Sequence, residues 1–286
     1  MKYQVDLYVA IGVWSVLISV LCLYQARVWM MGRAHSARAD KDGGSVLLSK
    51  HLVEFSQWAL NPLGRLLIRL GGTPDGVTWF SLLPGIGAGV ALSYGMFGLG
   101  CLLSTIACFS DSLDGMLARL SGKSSESGET LDAIVDRYAE SSFFIGLIVY
   151  YRFSPVMVTL SALSFLGAFM VSYTTAKAEA QQVAPPRGLM RRNERAVYLA
   201  AGAGLTPFMR VLFPSAHELV QEAPMIIGIV LVAIIANLSS FVRVGGIRRA
   251  LRQVAIENMD EVDVSAPSVR RETTVNGGMV TSEQST

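Results

Sequence analysis

The sequence predicts an all-α, polytopic membrane protein. Hydrophobic residues make up 51% of the chain and charged residues only 16%, well below the share of about 25% that is usual in soluble proteins. The mean hydropathy is +0.44, and the apolar residues gather in runs close to the length of about 20 residues that a helix needs to cross a bilayer. The net charge of +2 is too small to favour nucleic acid, so we expect no such partner.

The first apolar run lies within residues 1–25 and predicts a retained transmembrane anchor. Lys2 is the only cation before the run, whereas Arg27 and Arg33 follow it closely. Because cytoplasmic loops are richer in Lys and Arg, this distribution places the amino terminus outside. The linker of residues 26–45 is then cytoplasmic.

An amphipathic stretch begins at Val46. Phe55 belongs to its apolar face, and Glu54 and Gln57 belong to the opposite, polar face. This pattern predicts an interfacial helix that lies in the headgroup plane. Pro62 is expected to interrupt that helix.

Six further apolar runs predict a transmembrane core. They cover about residues 76–94, 97–119, 129–151, 154–176, 195–213 and 224–246. Cations concentrate between Lys177 and Arg195, on the side where the second core helix ends, which places that side in the cytoplasm. The interfacial helix and the core form one domain, residues 46–250. The tail of residues 251–286 is too polar to bury an apolar surface, and we expect it to be disordered.

Four aspartates stand between the second and third core helices. Asp111 and Asp114 are three residues apart, and Asp132 and Asp136 are four apart, so each pair shares one face of its helix. Carboxylates at membrane depth are costly and need compensating charge. Mg²⁺ and Mn²⁺ prefer oxygen ligands, and two such ions, about 3.5–4 Å apart, would accept four carboxylates. We therefore predict a site for two Mg²⁺ or Mn²⁺ ions that clamps a diphosphate.

A purely structural explanation would pair these aspartates with Arg119 and Arg137 on the facing helices. Two arginines cannot neutralise four carboxylates, so we favour the metal site over structural ion pairs. Gly115, Ala118 and Gly128 support this choice. Small side chains on the carboxylate faces leave room for a nucleotide or a neighbouring helix to come close.

The spacing D-x2-D-G-x2-A-R-x8-G-x3-D-x3-D resembles the signature of the CDP-alcohol phosphotransferases, and the resemblance extends over about residues 46–250. It implies an enzyme of phospholipid biosynthesis in which the hydroxyl of a small polar alcohol displaces CMP from CDP-diacylglycerol. Asp136 would be the general base as well as a metal ligand, and the enzyme would form a homodimer. The residues implied to contact the CDP-lipid are Pro74, Asp75, Gly76, Val77, Gly115, Ala118, Arg119, Ser125 and Gly128.

The connection from Lys177 to Arg195 brings cations to the same side as the aspartates. Arg192 and Arg195 share a face if the fifth core helix has begun there, and with Lys177 they would bind the phosphate of a water-soluble acceptor. Within the family this segment resembles phosphatidylinositol-phosphate synthases, whose acceptor is inositol phosphate. Thr175 and Asn193 replace the lysine and proline expected in that subgroup. Phosphatidylglycerophosphate and phosphatidylserine synthases remain as alternatives.

Two functions outside the family were weighed against it. Membrane prenyltransferases also bind a diphosphate through Asp-rich motifs and Mg²⁺, but their motifs are spaced differently. Cation transporters use buried carboxylates, but they commonly show inverted repeats around a midplane site, and this sequence shows no repeat. The resemblance therefore implies an enzyme of the bacterial inner membrane, with its active site facing the cytoplasm.

Overall fold

The structure is a computed structural model that describes residues 2–32, 50–184 and 188–265. Within these ranges the chain forms helices and no strand, which confirms the all-α prediction. The helices are α1 (Lys2–Met31), α2 (Lys50–Arg69), α3 (Pro74–Ser93), α4 (Phe97–Leu120), α5 (Glu126–Tyr150), α6 (Pro155–Ala180), α7 (Arg192–Leu212), α8 (Glu218–Gln221) and α9 (Ala223–Ser265).

Five of the described helices are long and apolar enough to cross a membrane: α1, α3, α4, α6 and α9. The predicted spans at 129–151 and 195–213 form α5 and α7, which do not meet that criterion because they carry more charge. Three of these charged side chains are buried in the bundle. Asp136 is 4% exposed, and Glu194 and Arg195 are 1% and 0% exposed. Charged side chains at membrane depth are tolerated in this arrangement, where they find partners away from lipid.

The structure of the amphipathic helix α2 differs from the prediction in two respects. Pro62 does not interrupt α2, which runs through it from Lys50 to Arg69; the proline removes one backbone hydrogen bond without ending the helix. Glu54, predicted on a solvent-facing side, is only 3% exposed. The physical reason is that α1 and α4 both pack against α2, so its polar face is covered.

Residues from 248 onward form a unit of their own. Helix α9 passes the predicted end near residue 246 and continues to Ser265. Residues 248–265 contain neither Gly nor Pro, so nothing in that stretch breaks the helical hydrogen bonds. The first part of the predicted disordered tail is therefore helical. Residues 33–49 of the predicted linker and interfacial helix, and residues 266–286, lie outside the described residues.

One apolar core joins α1 to six helices of the predicted core domain. Its buried side chains include Val13, Leu92, Phe97, Phe144, Leu147, Val171, Leu199, Met225 and Ile229. At the end of the bundle away from the aspartates, Arg210 donates hydrogen bonds to the Gly95 carbonyl at 2.9 Å and to Glu222 at 2.8 Å. These hydrogen bonds link α7 to the turn between α3 and α4 and to the residue that precedes α9.

Helices α3 and α5 meet at glycines, which lets their backbones touch. A Cβ atom at Gly85 would lie 2.6 Å from the Cβ atom of Ala139, and one at Gly89 would collide with the backbone carbonyl of Ser142. A Cβ atom at Gly146 would in turn collide with the carbonyl of Gly89. Small residues at such crossings allow close packing in membranes. This contact fixes α5, which carries Asp132 and Asp136, against the second half of α3.

Gly89→Ala should destabilise the protein, because the added methyl group can be accommodated only if the two backbones separate. Overpacking of this kind costs about 1–3 kcal/mol, and we expect a lower melting temperature in detergent. Gly12→Ala is the matched control, since a Cβ atom there has nothing within 4 Å. Equal melting temperatures for the two variants would show that the α3–α5 contact is not tight.

Candidate active site

The ends of three helices bring the predicted site residues together. Thr73 caps α3 by accepting a hydrogen bond at Oγ1 from the Gly76 amide at 3.2 Å. Ser125 caps α5 in the same way, accepting from the Gly128 amide at 3.1 Å. Both caps are side-chain acceptors for otherwise unpaired helix amides. Between them, Gly122 (φ +66°) turns the chain from α4 into α5, so the aspartates of the two helices face each other.

Three of the four predicted metal ligands converge. Asp111, Asp114 and Asp132 each offer a carboxylate oxygen, and these oxygens all lie within 4.8 Å of one another. Oδ1 of Asp132 is buried and has no hydrogen-bond partner among the described residues. A buried oxygen without a donor is costly, and an all-oxygen set of this kind suits Mg²⁺ or Mn²⁺. The residues present therefore fit a divalent ion.

Thr78 orients one of these carboxylates and was not predicted from the sequence. Its hydroxyl donates a hydrogen bond to Oδ2 of Asp114 at 2.7 Å, while the Gly115 amide donates to Oδ1. Hydrogen bonds of this type, made to a carboxylate that also binds a metal ion, hold that carboxylate in one orientation. Thr78 lies one turn into α3 and has no local pattern that would connect it to Asp114.

Asp136 lies outside the set of three carboxylates. Its carboxylate forms an ion pair with Nη1 of Arg192, and the same nitrogen lies 3.2 Å from Oδ1 of Asp111. Arg192 was predicted to bind the acceptor, but here its guanidinium bridges two carboxylates. A cation therefore already lies among the aspartates, as the crowding of negative charge requires.

Arg195 was predicted to act beside Arg192, but the two side chains go to different partners. Arg195 is fully buried and forms a forked ion pair with Glu140, with its Nη2 2.9 Å from Oε1 and its Nε donating to Oε1 at 3.0 Å. Arg137 donates to the same carboxylate at 3.0 Å. Glu140 was not predicted. It stands four residues after Asp136, so the helical spacing that connects Asp132 to Asp136 could have found it.

A further arginine, Arg243 of α9, joins this basic region. It donates a hydrogen bond to the Thr175 hydroxyl, and Arg191 and Arg195 lie close enough to repel it. Nothing in the sequence around Arg243 predicted this position. Lys177, by contrast, is exposed near the end of α6. In the described part of the chain, Lys177 makes none of the ion pairs that hold Arg192 and Arg195.

The residues implied to contact the nucleotide lie on the same helix ends as the carboxylates. Gly128 lies against Asp75, whose Oδ1 would be 3.6 Å from a Cβ atom at that glycine. Arg119 and Ser125 are exposed. The other predicted residues lie on the same helix ends: Pro74, Gly76 and Val77 in the first turn of α3, and Gly115 and Ala118 in the last turns of α4.

A cavity of about 410 Å³ opens beside the charged residues. Asp111, Asp136, Glu140 and Arg192 line it, together with apolar residues farther along the same helices. Its volume falls within the range of about 300–1,000 Å³ that is usual for small-molecule sites. The charged groups thus lie where a bound molecule can reach them.

Comparison with known proteins identifies the family of this arrangement. The profile of the CDP-alcohol phosphatidyltransferase family matches residues 72–237. The phosphatidylinositol phosphate synthase of Mycobacterium marinum is 33% identical over 165 residues, which cover 54% of this chain and 68% of that protein. The enzyme of the same name from Streptomyces avermitilis is 32% identical over 198 residues, covering 64% and 80%.

Solved structures show the same fold. The phosphatidylinositol phosphate synthase PgsA1 of Mycobacterium tuberculosis, in complex with manganese and citrate, superposes with a TM-score of 0.58 at 26% identity, covering 65% of this chain and 87% of that one. The same enzyme with CDP-DAG bound gives a TM-score of 0.57 and covers 65% and 92%. The chain therefore belongs to the CDP-alcohol phosphatidyltransferase family, as an integral membrane enzyme that uses divalent metal ions.

Proposed function

We propose that the protein transfers the phosphatidyl group of CDP-diacylglycerol to a hydroxyl of inositol phosphate and releases CMP. The observation that carries this proposal is that carboxylates and an arginine lie side by side: Asp111, Asp136 and Arg192 line one cavity. Asp111, Asp114 and Asp132 suit the ions that hold a diphosphate, and the arginines beside them suit an anionic acceptor. Relatives named phosphatidylinositol phosphate synthase support the same choice.

Asp111, Asp114 and Asp132 would hold the ions, with Asp136 completing the set for the second one. When bound, Mg²⁺ or Mn²⁺ would supply the positive charge that stabilises the diphosphate and the departing CMP. The nucleotide would lie over the exposed ends of α3, α4 and α5. There Arg119 would contact its phosphates, and Gly128 would leave it room beside Asp75.

Asp136 would take the proton of the acceptor hydroxyl. It is almost fully buried, lines the cavity and lies within reach of the carboxylate cluster. The acceptor oxygen then forms a bond to the phosphorus of the phosphatidyl group, and the bond from that phosphorus to the CMP oxygen breaks. Arg192 contacts both Asp111 and Asp136, so its guanidinium group would lie beside the reacting hydroxyl and could bind the acceptor's phosphate.

The acceptor would be anionic because several guanidinium groups lie beside the cavity. Arg191 and Arg192 line the cavity, and Arg243 lies close to Arg191 and Arg195. Glu140 is shared by Arg195 and Arg137. Arginine forms forked hydrogen bonds with phosphate oxygens. A neutral alcohol such as inositol would form no ion pair with these guanidinium groups.

The site would face the cytoplasm of a bacterial cell, across its inner membrane. Arg191 and Arg192, where α7 begins, lie at the same cavity as Asp111 and Asp136, and the positive-inside rule places such cations in the cytoplasm. We also propose a homodimer, as the family resemblance implies.

The proposal can be tested with the purified full-length protein in detergent or vesicles. CDP-diacylglycerol and Mn²⁺ are supplied with inositol phosphate, glycerol 3-phosphate, serine or inositol, and CMP release is measured. We expect CMP release with inositol phosphate and little with inositol. Faster CMP release with another alcohol would show that inositol phosphate is not the acceptor. No CMP with any alcohol, alongside cation uptake into vesicles, would favour a transporter instead.

Arg195→Lys should raise KM for inositol phosphate about tenfold, an effect typical of a lost hydrogen bond to a charged group, while KM for CDP-diacylglycerol stays unchanged. Lysine keeps the positive charge beside Glu140, so a buried carboxylate is not left unpaired. Arg137→Lys is the matched control because Arg137 contacts the same carboxylate. If both variants change KM for the acceptor equally, Arg195 does not bind it.

A further inference from the structure

Helix α1 packs directly on the backbones of two core helices. A Cβ atom at Gly98 of α4 would collide with the backbone carbonyl of Asp6. At Gly204 of α7, a Cβ atom would lie 2.9 Å from Nε1 of Trp14 and 2.8 Å from Sγ of Cys101. Both core helices therefore carry a glycine where α1 touches them, and side chains larger than hydrogen would push it away.

Polar contacts within the bundle fix the position of α1 as well. The Trp14 indole donates a hydrogen bond to the Gly204 carbonyl at 3.2 Å. The Leu99 amide, in the first turn of α4, donates to the Asp6 carboxylate at 3.0 Å, and Asp6 is only 2% exposed. An anchor that merely held the chain in the bilayer would need neither contact. Helix α1 is part of the enzyme body.

Helix α1 also forms a wall of the cavity at the active site. Trp14 and Leu17 line it. Helix α1 precedes residues 72–237, the part of the chain that matches the family profile. This wall of the cavity therefore comes from a part of the chain that precedes the segment matched by the family profile.

The cavity changes from charged to apolar along α4 and α5, two of the helices that line it. On α4 it extends from Asp111 to Cys101, ten residues that correspond to about 15 Å of helix. On α5 it extends from Asp136 and Glu140 to Phe144. The end that α1 covers is the apolar end. An elongated cavity with charge at one end and hydrocarbon at the other fits a phosphate carrying an apolar chain.

We propose that α1 is the outer wall of a pocket that holds one acyl chain of the CDP-lipid donor, and that Leu17 limits the chain length accepted. The proposal rests on the lipid donor of the proposed function. The polar acceptor is a poor alternative occupant of the apolar end of the cavity, because Phe143, Phe144 and Leu199 there offer it no hydrogen bonds. The donor's phosphates would lie at the aspartates while its chain extends towards Trp14.

Photolabelling tests the occupant without requiring turnover. CDP-diacylglycerol with a diazirine in one acyl chain is added to the full-length protein with Mn²⁺ and no acceptor, and the labelled peptides are identified by mass spectrometry. We expect adducts on α1 around Trp14 and Leu17 that unlabelled CDP-diacylglycerol removes by competition. Diazirine phosphatidylcholine should not give them. Equal labelling by both lipids would mean that α1 merely faces bilayer lipid, which overturns the proposal.

Two substitutions at one position test chain length. Leu17→Trp fills the pocket and should lower kcat/KM for dioleoyl CDP-diacylglycerol about tenfold or more, a size of effect usual for a changed apolar pocket, with less than about a twofold change for the dioctanoyl lipid. Leu17→Ala should shift the preference towards longer chains. Leu23→Trp is the matched control because Leu23, on the same helix, is 63% exposed.

The outcomes separate this inference from the proposed function. If unlabelled CDP-diacylglycerol prevents the labelling of α1, but inositol phosphate causes no CMP release from the donor, the acyl pocket stands and inositol phosphate is not the acceptor. In the opposite case, CMP is released, but both Leu17 variants keep the same chain-length preference and the photolabel is found on other helices only. That result would overturn the acyl pocket but not the proposed reaction. If Leu17→Trp fails to fold, the Leu17→Ala preference and the labelling decide.

Discussion

Asp136→Asn should reduce CMP release by about 10²–10⁴-fold, the usual contribution of a general base, while CDP-diacylglycerol still binds with nearly unchanged affinity. Asparagine has almost the same size as aspartate but cannot accept the proton of the acceptor hydroxyl. The structure strengthens this expectation, because Asp136 lies outside the three carboxylates whose oxygens converge within 4.8 Å. Mn²⁺ binding by those three should therefore survive the change.

The measurement combines single-turnover CMP release with titrations of Mn²⁺ and CDP-diacylglycerol on the same preparation. Glu140→Gln is the comparison, because Glu140 lies one turn farther along α5 and lines the same cavity, but is paired with Arg195 and Arg137. We expect its effect to appear in acceptor affinity. A parallel fall of rate and CDP-lipid binding in Asp136→Asn would show that Asp136 holds the donor instead of acting as the base.

Asp132→Asn should abolish measurable CMP release by removing a metal ligand. A bound ion supplies several kcal/mol of charge stabilisation, and each 1.4 kcal/mol is about a tenfold change in rate. Stability should change in the opposite direction. Without metal, the variant should melt at a higher temperature than the unchanged protein, because one of three crowded negative charges is gone.

Thermal melting with and without Mn²⁺ checks both effects. An ion at about 100 times its dissociation constant stabilises the folded protein by about 2.7 kcal/mol, and Asp132→Asn should lose this gain. Glu179→Gln is the control, since Glu179 is an exposed carboxylate at the end of α6. Full Mn²⁺ stabilisation in Asp132→Asn would contradict the assignment of Asp132 as a ligand.

Much of the site could be predicted because its pattern is local. Asp111 and Asp114, like Asp132 and Asp136, share a helix face through spacing alone. Their position between two apolar runs put both pairs at one end of the bundle. Glu140 follows the same spacing and could have been included.

The partners of the charged residues could not be predicted in this way. Arg192 and Arg195 were expected to act as a pair, yet Arg192 bridges Asp111 and Asp136 while Arg195 contacts Glu140. Two side chains on the same face of a helix can contact different neighbouring helices. Which carboxylate each guanidinium reaches depends on the packing of α4, α5 and α7.

By itself, the sequence determined the membrane-spanning helices and the carboxylate spacing that marks the reaction. Both follow from hydrophobic length and helical periodicity, which are properties of short segments. Only the tertiary structure decided that Thr78 holds Asp114, 36 residues away, and that α1 closes the cavity through Trp14, 190 residues from its partner Gly204. Contacts of such separation depend on how the helices pack, and no local pattern encodes them.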